Sequence, residues 1–145
     1  MSFTNIWVHL VWATKGRQPL LTKPARYEIF KHIREEGHSK GIYVDFINGY
    51  VDHVHCLISM NAEQNIAAVA QALKGESSYW VNHHTTLLPH RLKWGKGYYA
   101  VSIGLSGLDV VRGYIKKQEA HHSKKSFVEE CEEFRRIYGF DELLG

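Results

Sequence analysis

Residues Tyr43 to Met60, "YVDFINGYVDHVHCLISM", place two β-patterned runs back to back with Asn48-Gly49 between them. The first run, Tyr43 to Ile47, and the second, Tyr50 to Met60, are rich in β-branched and aromatic residues. The dipeptide joining them favours a tight hairpin turn. A hairpin fixes antiparallel pairing, yet two strands alone are marginal in water, so further strands and helices must cover the pair. Phe3 to Trp12 supplies a candidate strand, with Ile6, Val8, Leu10 and Trp12 on one face by period-2 spacing. Tyr98 to Ile103 supplies another.

Helical patterns fill the gaps. Pro24 suits the first turn of a helix running to about Ser39, with Ile29, Phe30 and Ile33 as its apolar stripe. A second helix fits Gln64 to about Asn82, with Ile66, Val69, Leu73 and Trp80 facing inward. The resulting order, β-α-β-β-α-β, is that of an α+β, ferredoxin-like sandwich with an antiparallel sheet. "GLSG", Gly104 to Gly107, breaks the chain before a third helix, Leu108 to about His122. "SFVE" at Ser126 forms a capping box with Glu129 for a last helix. We expect a single domain over 1–145: a βαββαβ core over 1–103, then helices over 108–122 and 126–138.

Composition narrows the class. With 44% hydrophobic and 23% charged residues, the chain has ordinary globular usage, and disordered or collagen-like classes drop out. There is no internal repeat and no apolar run near the roughly 20 residues that span a bilayer. The N-terminal segment alternates apolar and polar residues, where a signal peptide would show a basic start and a solid apolar block. A cytoplasmic protein without membrane contact is the expectation. Cys56 and Cys131 form no CxxC pattern and are expected as free thiols. A net charge of +3 points only weakly to a polyanionic partner.

Within the second hairpin strand, His53 and His55 project to the same face, while Val54, Cys56, Ile58 and Met60 fill the other. Two imidazoles on one face can give adjacent ligands to a divalent metal. Cys56 points away, which argues against a Cys/His zinc site. Taken alone, the pair also fits two half-exposed histidines on a solvated sheet face. In the third helix, "VVRGYIKKQEAHH" sets Tyr114 and Gln118 four residues apart on one face, with Lys117 and His121 sharing it and Val111 and Ile115 on a neighbouring stripe. Alone, that segment also fits a mixed polar surface helix.

Together, the HxH strand, the Tyr-x-x-x-Gln helix and the βαββαβ frame resemble the single-tyrosine HUH transposases of the insertion-sequence 200/605 type, which include the REP-associated tyrosine transposases. The likeness runs from "VHLVWATKGRQPLL" through "DHVHCLIS", "ALKGESSYWVN" and "WGKGYYAVSIG" to "YIKKQEAHHSKKSF". It implies a DNA transposase in which Tyr114 attacks a phosphodiester of single-stranded DNA, leaving a 5′-phosphotyrosine and a free 3′-hydroxyl. His53, His55 and Gln118 would hold a divalent metal, Mg²⁺ with Mn²⁺ as a substitute. His121 and His122 would be supporting groups or DNA contacts. The resemblance further implies hairpin-bearing DNA as partner and a homodimer with composite sites, in which the tyrosine helix, hinged at "GLSG", docks on the other subunit.

Two basic stretches suit DNA. Lys15, Arg17 and Lys23 lie in the first loop, and Arg91, Lys93, Trp94 and Lys96 precede the fourth strand. Basic side chains track phosphates and an aromatic ring stacks on an unpaired base. Lys74 and Lys117 are further candidates. Two other readings stay open: a relative that grips hairpin DNA without cutting it, and a metal-dependent nuclease that uses water and has no need of Tyr114.

Overall fold

A computed structural model describes residues 2–122 and 124–140. Strand β1 (Ile6–Ala13) lies inside a four-stranded sheet. It pairs antiparallel with β3 (His53–Met60) on one side and β4 (Tyr99–Ile103) on the other. Strand β2 (Tyr43–Gly49) pairs antiparallel with the far edge of β3, giving the order β2-β3-β1-β4. Helices α1 (Ala25–Ser39) and α2 (Ile66–His84) complete the βαββαβ sandwich. The expected α+β, ferredoxin-like architecture is the observed one.

The core follows the period-2 pattern. Val8, Leu10 and Trp12 of β1 and Val54, Cys56, Ile58 and Met60 of β3 bury against Ile29, Phe30 and Ile33 of α1 and Val69 and Leu73 of α2. Fully burying each such side chain contributes on the order of 1.5–3 kcal/mol. Asn65 starts α2 by accepting the backbone N–H of Ala68 at 2.9 Å, which satisfies one of the orphan donors of the first turn.

The opposite sheet face is covered as well, and this decides the fate of the histidines. The last three helices lie there: α3 (Leu108–Lys116), α4 (Gln118–His122) and α5 (Phe127–Tyr138). Leu57 of β3 packs with Leu108 and Ile115 of α3, while Val11, Ala13 and Tyr99 pack with Phe127 and Cys131 of α5. Ser126 caps α5 by accepting the Glu129 N–H at 3.2 Å. The Glu129 carboxylate returns to the Ser126 hydroxyl rather than to its backbone N–H. Gly139 closes the helix in the left-handed region, φ 73°, which glycine enters without steric cost.

Two expectations need correction. Asn48 and Gly49 are not a two-residue turn: they are the last rungs of β2, opposite His55 and Val54. The reversal is made by Tyr50–Asp52, with the Tyr50 N–H donating to the His53 carbonyl at 3.1 Å. Glycine is needed at 49 because the His53 carbonyl oxygen lies 2.1 Å from where a Cβ would stand. The expected helix Leu108 to His122 is also two helices. At Lys117 the backbone opens to φ −96°, ψ 17°, and its N–H is shared between the Gly113 and Tyr114 carbonyls. Both cysteines are free and buried. No helix among the described residues is long and apolar enough to cross a membrane.

Candidate active site

His53 and His55 project from β3 into the space between the sheet and α3–α5, where both are fully buried. The half-exposed alternative fails because this face is not solvated. Ala13, opposite His53 in the β1 register, is small enough to leave room for Phe127, whose ring stacks on His53 at 3.9 Å.

Each imidazole is oriented by a partner on its Nδ1. Asp52 Oδ1 lies 2.7 Å from His53 Nδ1, so in neutral His53 the proton sits on Nδ1 and Nε2 presents its lone pair. His9 Nε2 lies 2.8 Å from His55 Nδ1. Burial holds His9 and His55 well below the usual imidazole range, with His55 reinforcing the shift of His9, and His53, His122 and His121 that of His55, so both are neutral near pH 7. His122 Nδ1 faces the Lys125 carbonyl at 2.6 Å, which can only accept. Its pKa is pushed down to about 4 by burial, with His53 reinforcing the shift. His122 therefore also presents a bare Nε2.

Gln118 and Glu130 bring oxygens to the same point. Gln118, fully buried at the start of α4, sets Oε1 3.1 Å from both His53 Nε2 and His122 Nε2. Glu130, fully buried on α5, sets Oε1 3.1 Å from His55 Nε2. Burial, with help from Asp52, raises the Glu130 pKa to about 7, and His53 opposes the shift. Lone pairs of nitrogen and oxygen thus converge with few protons among them. That donor set suits a divalent cation; the Asp52 carboxylate behind His53 is the usual second layer of such sites, while the His9 imidazole takes that place behind His55. His53, His55 and Glu130 each bring one ligand atom within 4.8 Å of the others, and the Gln118 oxygen lies beside His53.

Tyr114 reaches the same cluster from α3. Its hydroxyl donates to Glu130 Oε2, and its ring centroid lies 5.6 Å from that of His55. Tyr114 and Gln118 stand on separate helical segments, α3 and α4, joined at Lys117. Beyond Tyr114 opens a cleft of about 590 Å³ lined also by Gly113, Lys117, His121 and Lys124.

The two basic loops also meet. Thr14 bridges to Trp94, and the Lys15 N–H donates to the Lys93 carbonyl at 2.9 Å, extending the end of β1 nearest His53. Lys15, Lys93, Arg91 and Lys96 are exposed there, and Arg17 is half-buried. Trp94 is engaged inward: its ring meets Trp12 edge-on and its Nε1 donates to Ser77. Lys74 is turned to the Lys96 and Gly97 carbonyls, and partial burial lowers its pKa. Lys23 pairs with Glu119 at 3.4 Å.

Comparison with known proteins places this arrangement. The family described as "Transposase IS200 like" matches residues 2–118. The chain belongs to that family. It is a transposase, and ISDra2 transposase TnpA of Deinococcus radiodurans is 25% identical over 114 residues, spanning 76% of this chain and 81% of the relative. Two solved structures share the fold of this transposase. A Deinococcus radiodurans protein solved as a candidate transposase superposes with a TM-score of 0.62 at 22% identity, over 81% of this chain and 93% of its own. A REP-associated tyrosine transposase bound to a REP hairpin gives 0.60 at 14% identity, over 84% and 74%.

Reading the sequence singled out Tyr114, His53, His55 and Gln118 and passed over His9, Asp52 and Glu130. Asp52 had a local signal, since a carboxylate directly before the first histidine of an HxH pair can hold its Nδ1. His9 and Glu130 had none: they lie 46 and 75 residues from His55.

Proposed function

We propose that this transposase cleaves and rejoins single-stranded DNA at hairpin-bearing ends through a covalent 5′-phosphotyrosine on Tyr114. One observation carries the reading: the Tyr114 hydroxyl sits at the junction between the buried His53–His55–Gln118 cluster and the open cleft lined by Lys117 and Lys124. A nucleophile belongs at such a boundary, with the electrophilic centre behind it and the charged polymer in front.

The phenol oxygen attacks the scissile phosphorus. A tyrosyl O–P bond forms as the P–O3′ bond breaks; the phenol gives up its proton and the departing 3′-oxygen takes one. The phosphodiester is exchanged rather than hydrolysed, so a second 3′-hydroxyl can reverse the step. A free phenol has pKa near 10, and the Glu130 carboxylate is the group in place to accept its hydrogen bond. His53, His55 and Gln118 would hold the divalent ion, Mg²⁺ with Mn²⁺ as a substitute, and the ion would supply Lewis-acid polarisation of the phosphate. Asp52 and His9 orient the two histidines. Lys117 and Lys124 track the strand beside Tyr114, and Lys15, Arg17, Lys93, Arg91 and Lys96 form a second basic edge for the hairpin. The REP hairpin held by the related tyrosine transposase supports a hairpin partner. A homodimer with composite sites is the arrangement implied by the resemblance; the single chain already joins Tyr114 to the cluster.

The test is a denaturing gel of end-labelled hairpin single strands with Mg²⁺, wild type beside Tyr114→Phe. A shifted, protease-sensitive adduct in wild type alone supports the reading. Cleavage persisting in the Phe variant assigns the reaction to water. Binding with neither adduct nor cut strand, in Mg²⁺ or Mn²⁺, makes the protein a hairpin-binding relative.

A further inference from the structure

We propose that Glu130, carried on α5, is a ligand of the metal in this site, alongside His53, His55 and Gln118. The inference rests on reading that cluster as a metal site, and it adds a donor from a helix that the HxH strand and the tyrosine helix do not include.

Charge balance argues first. Glu130 is fully buried, and among the described residues its ion-pair partners are all histidines: His53, His55, His121 and His122. Among the described residues no lysine or arginine is paired with it. An ionised carboxylate without a compensating cation is expensive to bury. A divalent ion held among these groups would supply such a cation.

Geometry argues second. Glu130 Oε1 lies 3.1 Å from His55 Nε2, 3.3 Å from His122 Nε2 and 3.5 Å from His53 Nε2. Donors bound at about 2.1 Å around one ion stand roughly 3.0–3.4 Å from each other in octahedral or tetrahedral arrangements. The His55 and His122 spacings fall in that range and the His53 spacing lies just beyond it. The His122 and His53 spacings are poorly explained by hydrogen bonding to a carboxylate, since the His122 Nδ1–H donates to the Lys125 carbonyl and the His53 Nδ1–H to Asp52, whereas His55 Nε2 can donate to Glu130 when His9 donates to its Nδ1. An oxygen placed against two bare imidazole nitrogens repels both until a cation sits among them.

The consequence is an anionic ligand set, which favours a hard ion over the neutral set of two imidazoles and one amide. Binding would also tie α5 to the sheet face, because Glu130 is one residue from Cys131 and three from Phe127, which anchor that helix.

The test is calorimetric titration of the full chain with MnCl2, without DNA, for wild type, Glu130→Gln and the double variant His53→Ala/His55→Ala. We expect Glu130→Gln to weaken Mn²⁺ binding at least ten-fold and the double variant to abolish it. Unchanged affinity in Glu130→Gln with loss in the double variant overturns this inference and leaves the metal site standing. Unchanged affinity in the double variant overturns both. Should Glu130→Gln not fold, wild-type crystals soaked in Mn²⁺ decide: an anomalous peak within about 2.5 Å of a Glu130 oxygen supports ligation, and a peak at the histidines but beyond that distance refutes it.

Discussion

Gly49→Ala offers a sharp test of how the hairpin positions the site, because the alanine touches none of the reactive groups. A Cβ at position 49 would stand 2.1 Å from the His53 carbonyl oxygen, 3.1 Å from its carbonyl carbon and 3.1 Å from the Phe30 ring. Ordinary contact begins near 3.4 Å, so the oxygen and the new methyl must separate by 3.4 − 2.1 = 1.3 Å. Backbone is on both sides of the clash, and the His53 carbonyl is also held by the Tyr50 N–H. The movement therefore passes into His53 itself. Overpacking of this kind costs about 1–3 kcal/mol, and a misplacement near 1 Å in a catalytic group costs on the order of 100-fold in rate. We expect Gly49→Ala to lower the urea-unfolding free energy by about 1–3 kcal/mol and adduct formation by roughly 100-fold. Gly75→Ala is the control: it lies inside α2 with nothing within 4 Å of its would-be Cβ and should gain about 0.5–1 kcal/mol. If Gly49→Ala matches wild type in stability and adduct yield, the close approach at His53 does not fix the site and the reasoning is wrong.

Other outcomes follow from the same packing. Asp52→Asn removes the charge behind His53 Nδ1 and should weaken Mn²⁺ binding by about 10–100-fold, read by calorimetry, with little change in melting of the metal-free protein. Ile115→Ala empties a fully buried position packed with Leu57 and Leu108 and should cost about 2–5 kcal/mol in chemical unfolding; a loss under about 0.5 kcal/mol would mean that α3 is not anchored through it. Burial raises the Cys56 thiol pKa and leaves no exposed surface, so labelling of Cys56 by a thiol reagent should proceed only at the rate of unfolding. Rapid labelling in native buffer would contradict the packing of β3 against α1 and α2.

What the sequence determined by itself is the set of features written in short-range order. Period-2 alternation put Val8, Leu10 and Trp12 with Val54, Cys56 and Ile58 on one sheet face, and that same alternation forced His53 and His55 to the other. Caps and breakers are equally local, so the start of α5 at Ser126 was legible. The turn was misplaced because Asn48-Gly49 carries a strong hairpin signal, while the need for glycine there comes from a carbonyl across the strand pair. The helix break at Lys117 was invisible for a similar reason. Side-chain spacing in "YIKKQEAHH" fits one continuous helix, and only with Gln118 buried among His53, His122 and Glu130 does the chain follow another course. The site's completion belongs to tertiary structure altogether. His9, Glu130 and His122 reach the HxH pair from β1, α5 and α4, and no local pattern encodes the distance between residues that meet only when three helices close over a sheet face. Sequence chose the residues that face inward; packing chose which of them touch.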